Sequence, residues 1–238
     1  MASGDTARFL PFVPDMSTIL DNAVTTFLKP GLNVGWFGWD DRVGNGFCGT
    51  CNQEAQLAFA ALVVRSCSDF SRSLAFAGQT AKAASYNATS ARLATQLRAY
   101  SLSLAASPAF TGTGTLSLSS SLSSPSSSLS SSSPSSSPWY APFGLHAAAN
   151  LVNAKMLTAA EERDIFSRLF NDTVTLCSWS PFNQYWILQA LGNMAAGGKG
   201  EAEAGEEDGH DMMEYALASI RLCWGGMTTL GKGCLWEL

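Results

Sequence analysis

Between Gln53 and Leu104 the chain carries two long helical patterns separated by a single break, and no other feature constrains the fold as strongly. Leu57, Ala60, Ala61, Val64, Cys67 and Ser68 recur at helical spacing, and Phe70, Leu74 and Ala77 continue the pattern. Gly78 then interrupts it, as a residue just past a helix end does. A second amphipathic stretch runs from Thr80 to Leu104, with Ala83, Tyr86, Ser90, Leu93, Leu97 and Tyr100 on one face. Two long amphipathic helices joined by so few residues predict an antiparallel hairpin.

The same reading extends to the rest of the chain. Leu10 to Leu28 predicts a helix with Asp15 or Ser17 near its cap, ended by Pro30-Gly31. Trp36 to Arg42 and the Gly-rich stretch to Cys51 read as a structured loop. Beyond Pro142, the residues Leu145, Ala148, Ala149 and Val152 share a helical face. Thr158-x-x-Glu161 is a capping box opening a helix through Ile165, Leu169 and Phe170. Ser180-Pro181 opens another, with Phe182, Tyr185, Trp186, Leu188, Leu191 and Met194 as its apolar face and Gly197-Gly198 as its stop. A last helix is expected from Asp211, with Tyr215, Leu217, Ile220 and Trp224 facing the core and Gly225-Gly226 at its end. The expected class is therefore all-α, with seven helices in sequential hairpins and no train of strands, arranged as a helical array or part of a toroid.

Two segments fall outside the helical pattern. Residues 101–138 are Ser-dominated, and 111–138 read as a disordered insertion, because such a composition buries too little apolar surface to offset its ordering entropy. Residues 197–209 read as a Gly/Glu-rich solvated loop that lacks the alternating oxygen ligands of a calcium site; His210 belongs to the same stretch.

Composition excludes several partners. Of the 238 residues 46 % are hydrophobic, enough for a core, and the net charge of −5 comes without any clustered Lys/Arg interleaved with aromatics, so a nucleic-acid partner is not expected. The longest apolar runs, such as Leu57 to Val64, are too short to span a bilayer. Met1 to Arg8 does not have the form of a signal peptide. Cys48-x-x-Cys51 stands without a second pair, which favours incidental cysteines or a local disulfide over a zinc or redox half-site. Asn87 and Asn171 head formal glycosylation tripeptides, a pattern common by chance. No cofactor motif, phosphate-binding glycine loop, metal-ligand set or Ser/His/Asp order is present.

The strongest functional signal lies in the last third. Ser180-Pro181-Phe182-Asn183-Gln184-Tyr185-Trp186-Ile187-Leu188-Gln189-Ala190-Leu191 is followed by Ala216-Leu217-Ala218-Ser219-Ile220-Arg221-Leu222-Cys223-Trp224-Gly225-Gly226-Met227, and then by Leu230-Gly231-Lys232-Gly233-Cys234-Leu235-Trp236-Glu237. This series resembles the C-terminal barrel segment of the family 78 glycoside hydrolases, the α-L-rhamnosidases. There an SPF-x-x-x-Y-x-L-x-AL helix precedes an AL-x-x-I-R-x-x-WG-x-M helix and a G-A-T-T-x-WE loop. The third block keeps the Gly and the Trp-Glu but lacks the paired Thr. Upstream, Leu145 to Asn150 is similar to the family's short H-A-x-A helix start, and Trp39-Asp40-Asp41 to a pocket-lining pair. The likeness covers roughly residues 36 to 237 and is specific after 180.

The resemblance implies part of an (α/α)6 toroid, a six-hairpin glycosidase fold spanning residues 1–238, acting on a terminal α-L-rhamnosyl glycoside with inversion. Such chemistry needs two carboxyl groups about 6.5–9.5 Å apart, one protonating the leaving oxygen and the other drawing a proton from water. By resemblance Glu237 is the base, Asp40 or Asp41 contacts substrate, and Trp39, His146, Trp224 and Trp236 line the pocket. The family's upstream D-x-x-x-E-R type acid motif is not found here. Six hairpins need about twelve helices, so seven predict a fragment or a degenerate product. Without the resemblance, Glu237 is a terminal carboxylate, His146 a core or cap histidine, and the helical aromatics core residues. The competing expectations are a non-catalytic carbohydrate-binding or scaffold protein lacking the acid, and another α/α-toroid enzyme such as a polysaccharide lyase.

Overall fold

A computed structural model describes residues 6–29, 53–106, 138–170, 181–197 and 206–229. Among these residues every regular element is helical and there is no strand. A short α1 (Thr6–Phe9) passes through a 3-10 turn at Leu10–Phe12 into α2 (Val13–Thr25). The long pair α3 (Gln53–Phe76) and α4 (Thr80–Ala105) follows. Then come α5 (Leu145–Asn153) and α6 (Ala159–Ile165), the latter continued by a π-helical turn at Phe166–Phe170. The last two are α7 (Pro181–Gly197) and α8 (Glu206–Thr229).

The α3/α4 hairpin forms as its pattern requires. Ser71 Oγ donates to the Ala83 carbonyl at 2.7 Å and Ser90 Oγ to that of Val64 at 2.9 Å. These bonds fix an antiparallel register, since moving seven residues back along α3 means moving seven forward along α4. Leu57, Leu74, Leu93 and Leu97 are fully buried between the pair and their neighbours. The turn is a Schellman cap: Gln79 N–H donates to the Leu74 carbonyl and Gly78 N–H to that of Ala75, with Gly78 at φ +76°. Helix α5 ends the same way, with Met156 N–H on the Leu151 carbonyl, Lys155 N–H on that of Val152, and Lys155 in the left-handed position at φ +55°.

Helix α3 packs on α4, α5 and α2, α5 packs on α7, and α7 on α8. Thus α3, α5 and α7 touch in succession, with α4 and α8 each held by its own partner. The short α5 lies between two long helices and is buried on every side from His146 to Asn153, rather than on the single face its leucine and alanine spacing predicts. Its small residues explain this, because four consecutive positions from Ala147 to Asn150 admit close neighbours all round.

Several boundaries differ from expectation. The first helical segment begins at Thr6 with Phe12 at the cap of α2, and Leu28 at φ +50° turns the chain before Pro30. Helix α4 runs through Ala105 into the Ser-rich tract, because Ser101 is buried and its hydroxyl donates to the Trp139 carbonyl. Pro138, the last residue of the expected disordered insertion, is in an ordered turn and accepts from Ala141 N–H; residues 107–137 lie outside the described residues. Helix α8 starts at Glu206 rather than Asp211. The same helix continues past Gly225-Gly226 to Thr229, with neither glycine at positive φ. Glycine weakens a helix by only about 0.5–1 kcal/mol relative to alanine, which by itself does not end one.

Two apolar faces also differ. On α7 the buried side is Gln184, Ile187, Ala190, Leu191 and Met194, while Tyr185 is 58 % exposed. On α8 the buried side is Met212, Ala216 and Ser219, while Leu217 and Ile220 are exposed. Both helices carry apolar residues at adjacent positions, so spacing alone admits two neighbouring faces.

Candidate functional site

The contacts between α3, α5 and α7 are partly polar. Asn153 of α5 donates through Nδ2 to the Trp186 carbonyl at 2.9 Å and accepts at Oδ1 from Asn193 Nδ2 at 2.9 Å. Asn150, one turn earlier, donates to the His146 carbonyl at 3.1 Å. From α3, the Arg65 guanidinium lies over the Trp186 ring, 5.3 Å from its centroid, with Nε paired to Asp69 at 3.3 Å. Between α7 and α8, Gln184 Nε2 donates to Ser219 Oγ at 2.6 Å, both side chains being buried. The buried interior around them is mostly apolar, so each buried amide needs a partner and selects which residues face one another.

Three atoms of this interior have no hydrogen-bond partner among the described residues: Arg65 Nη1, Asn150 Oδ1 and Gln189 Oε1. Each such buried group costs about 1–3 kcal/mol. They comprise one donor and two acceptors.

A second cluster holds the segment after the Ser-rich tract onto α4. The Arg98 guanidinium stacks 4.2 Å from the Trp139 ring centroid, donates to the Met156 carbonyl at 2.6 Å and lies 3.8 Å from Glu161. Trp139 Nε1 donates to Glu161 Oε1 at 2.7 Å, and the capping box joins Thr158 and Glu161 reciprocally. Burial alone would raise the Glu161 pKa, but bonds from the Thr158 N–H, the Trp139 indole and the Thr158 hydroxyl, with Arg98 nearby, hold it below the usual value. Burial pushes the neighbouring Glu162 up. Divergent carboxyls are what an acid/base pair needs, but consecutive helix residues do not face each other, so these two cannot flank one sugar ring.

The described surface has shallow grooves. One of about 390 Å³ lies along α4 and the α5–α6 turn, lined by Ser90, Ala94, Thr95, Arg98, Lys155 and Met156. Another of about 420 Å³ near the end of α3 is lined by Asp69, Arg72, Ser73 and Phe76. Among the described residues no group of three or more His, Cys, Asp or Glu side chains is placed to hold a metal ion, and no helix is long and apolar enough to cross a membrane.

Of the residues the sequence singles out, Trp39, Asp40, Asp41, Trp236 and Glu237 lie outside the described residues, as does the Cys48/Cys51 pair. The backbone of Trp224 belongs to α8, while its side chain lies outside what is described. His146 is in the first turn of α5 and only 8 % exposed, in the interior rather than on a groove wall. Sequence reasoning missed the interhelical amides Asn153, Asn193 and Gln184. The available signal is amides at i, i+3 or i+4 within apolar helical runs, as at Asn150/Asn153 and Gln189/Asn193.

The chain matches no protein-family model, no curated protein and no solved structure.

Proposed function

We propose that the chain is a glycoside hydrolase, or part of one, that cleaves terminal α-L-rhamnose with inversion, Glu237 being the base and Asp40 or Asp41 contacting the sugar. The observation that carries this reading is the order of three sequence blocks, Ser180–Leu191, Ala216–Met227 and Leu230–Glu237, which resembles the α-L-rhamnosidases. The first two blocks fall on α7 and α8, which pack together through Gln184 and Ser219. The accompanying architecture is part of an (α/α)6 toroid. The succession of contacts α3–α5–α7, with α4 and α8 outside it, supports that arrangement, since every second helix of a toroid lines one layer. Trp39, His146, Trp224 and Trp236 are the proposed pocket residues, of which His146 has the least support because it is buried in α5.

A second reading is a non-catalytic carbohydrate-binding or scaffold protein. It is favoured by the commitments of four of the described carboxylates, Glu162 not being among them. Asp21 accepts from Tyr86, Asp69 pairs with Arg65 and Arg72, Glu161 is held by Thr158 and Trp139, and Asp164 pairs with Arg168. None of these four is a general acid awaiting a substrate.

Hydrolysis of a chromogenic α-L-rhamnoside by the full chain, beside Glu237→Gln, tests both. Turnover abolished in a well-folded variant supports the first reading, and turnover unchanged in it removes Glu237 as base. A folded chain that binds rhamnose calorimetrically without hydrolysing it supports the second, and one that does neither refutes both.

A further inference from the structure

Arg65 Nη1 of α3, Asn150 Oδ1 of α5 and Gln189 Oε1 of α7 are buried atoms without a hydrogen-bond partner. Their residues are gathered around Trp186. The Arg65 guanidinium lies over the Trp186 ring, 5.3 Å from its centroid. The Trp186 carbonyl accepts from Asn153, which also accepts from Asn193. Gln189 stands on α7 between Trp186 and Asn193, three residues after one and four before the other, so it shares the side of α7 that meets Asn153. Asn150 stands three residues before Asn153 on the same side of α5. Three residues advance a helix by about 4.5 Å, and two groups bonded to one water stand up to about 6 Å apart. Two of the three side chains are also held in place by other bonds. Asn150, only 2 % exposed, donates through Nδ2 to the His146 carbonyl, and Arg65 Nε is paired with Asp69.

We propose that α3, α5 and α7 bind one internal water at this point, which accepts from Arg65 Nη1 and donates to Asn150 Oδ1 and Gln189 Oε1. Counting donors and acceptors selects the ligand. The three atoms cannot satisfy one another, because two are acceptors and a bond from Arg65 to either leaves the other bare. A hydroxyl has a single proton to donate, and an ammonium donates without accepting. Water accepts while donating twice, and the resulting three bonds are the usual number for a buried water. The atoms are closed to bulk solvent, so a larger ligand does not reach them. The water joins the three successive helices through one group, beside the direct bonds of Asn153. It does not depend on the glycosidase reading, since no residue of the proposed sugar site takes part.

Oxygen-17 magnetic relaxation dispersion, which counts long-lived waters, tests the proposal on the full chain, on Asn150→Leu, on Gln189→Met and on the double variant. Both substitutions replace an amide by an apolar side chain of similar size, and helicity by circular dichroism is followed in parallel. Each single variant is expected to hold one long-lived water fewer than the parent, and the double variant also one fewer. Urea midpoints of the four proteins give a second readout. Once the first substitution has expelled the water, the second removes an acceptor that is already bare, so the double variant should lose less than the sum of the singles. An unchanged water count in a folded variant overturns the site. A double variant that loses two waters, with additive midpoint shifts, overturns the shared water in favour of separate ones. If Asn150→Leu does not fold, Gln189→Met, at a partly exposed position, decides by the water count alone.

Discussion

The side-chain amides of Asn153 and Asn193 are hydrogen-bonded at 2.9 Å, and the same Asn153 amide donates to the Trp186 carbonyl, so one residue of the central helix holds α7 at two points about two helical turns apart. Asn153 is itself only 6 % exposed. Its replacement by alanine strips a partner from a backbone carbonyl and from an amide in the interior. We expect Asn153→Ala to destabilise the fold by about 2–4 kcal/mol, above the typical loss for a single hydrogen bond, because two groups are left unmade. Chemical denaturation of Asn153→Ala, Asn193→Ala and the double variant checks this. A coupling energy of about 0.5 kcal/mol or more is expected, and additive losses would mean the pair does not act as a unit.

The two Schellman turns predict opposite effects of glycine. Gly78 at φ +76° has open space where a Cβ would stand, so Gly78→Ala meets no clash and its cost is conformational alone, about 1–2 kcal/mol. Lys155 already bears that cost at φ +55°, and Lys155→Gly should recover up to about 1 kcal/mol. Thermal melts of the two single variants should shift in opposite directions from the parent. A fall in both would mean that the Lys155 side chain contributes more through the groove it lines than its backbone costs.

How much of this was legible in the sequence depends on how well each helix separates its two faces. The α3/α4 hairpin was readable because Leu57, Val64, Leu74, Leu93 and Leu97 mark one side of each helix and Gly78 marks the turn. The matching turn after α5 was not, because Lys155 carries no signal for positive φ. On α8 the apolar residues fall at 212, 213, 216, 217 and 220, which supports two faces a hundred degrees apart. The bond from Gln184 to Ser219, invisible to a hydropathy pattern, goes with the face built on Met212 and Ala216. Of the proposed site, His146 is the member whose side chain is described, and it is buried among small residues whose spacing suggested a one-sided helix.

The α6 carboxylates predict a divided response to acid. Glu161 has a lowered pKa, so the stability it contributes is present above the unfolded carboxyl value and is lost as pH falls below 4.5 through its folded value. Glu162 has a raised pKa, so its contribution runs the other way and declines as pH rises from 4.5 through its folded value. Glu162→Gln should therefore stabilise the protein at neutral pH and have no such effect in acid. Thr158→Ala, which removes the capping hydroxyl, should cost about 0.5–2 kcal/mol at neutral pH and less in acid, where Glu161 is protonated and the box is already weakened. Denaturation midpoints of the three proteins between acid and neutral pH check the signs. A Glu162→Gln variant less stable than the parent at neutral pH would show that the carboxylate has a partner worth more than its burial costs.

Cys67 lies wholly inside the α3/α4 packing, and burial, assisted by the charge of Asp21, raises its thiol from 9.0 to about 11. A thiolate is the reactive form, so the side chain is protected twice, by exclusion of the reagent and by suppression of its ionisation. In alkylation at mildly alkaline pH read out peptide by peptide, Cys67 should react only at the rate at which the hairpin opens, and promptly once the chain is denatured. The shift also has a stability consequence. Between pH 9 and 11 the unfolded thiol has lost its proton while the folded one retains it, so stability contributed by this group falls as pH rises through that window. Cys67→Ala should flatten that alkaline decline while lowering stability at neutral pH through lost packing. Rapid labelling of Cys67 in the folded protein would place it at an accessible surface and refute the packing of α3 against α4.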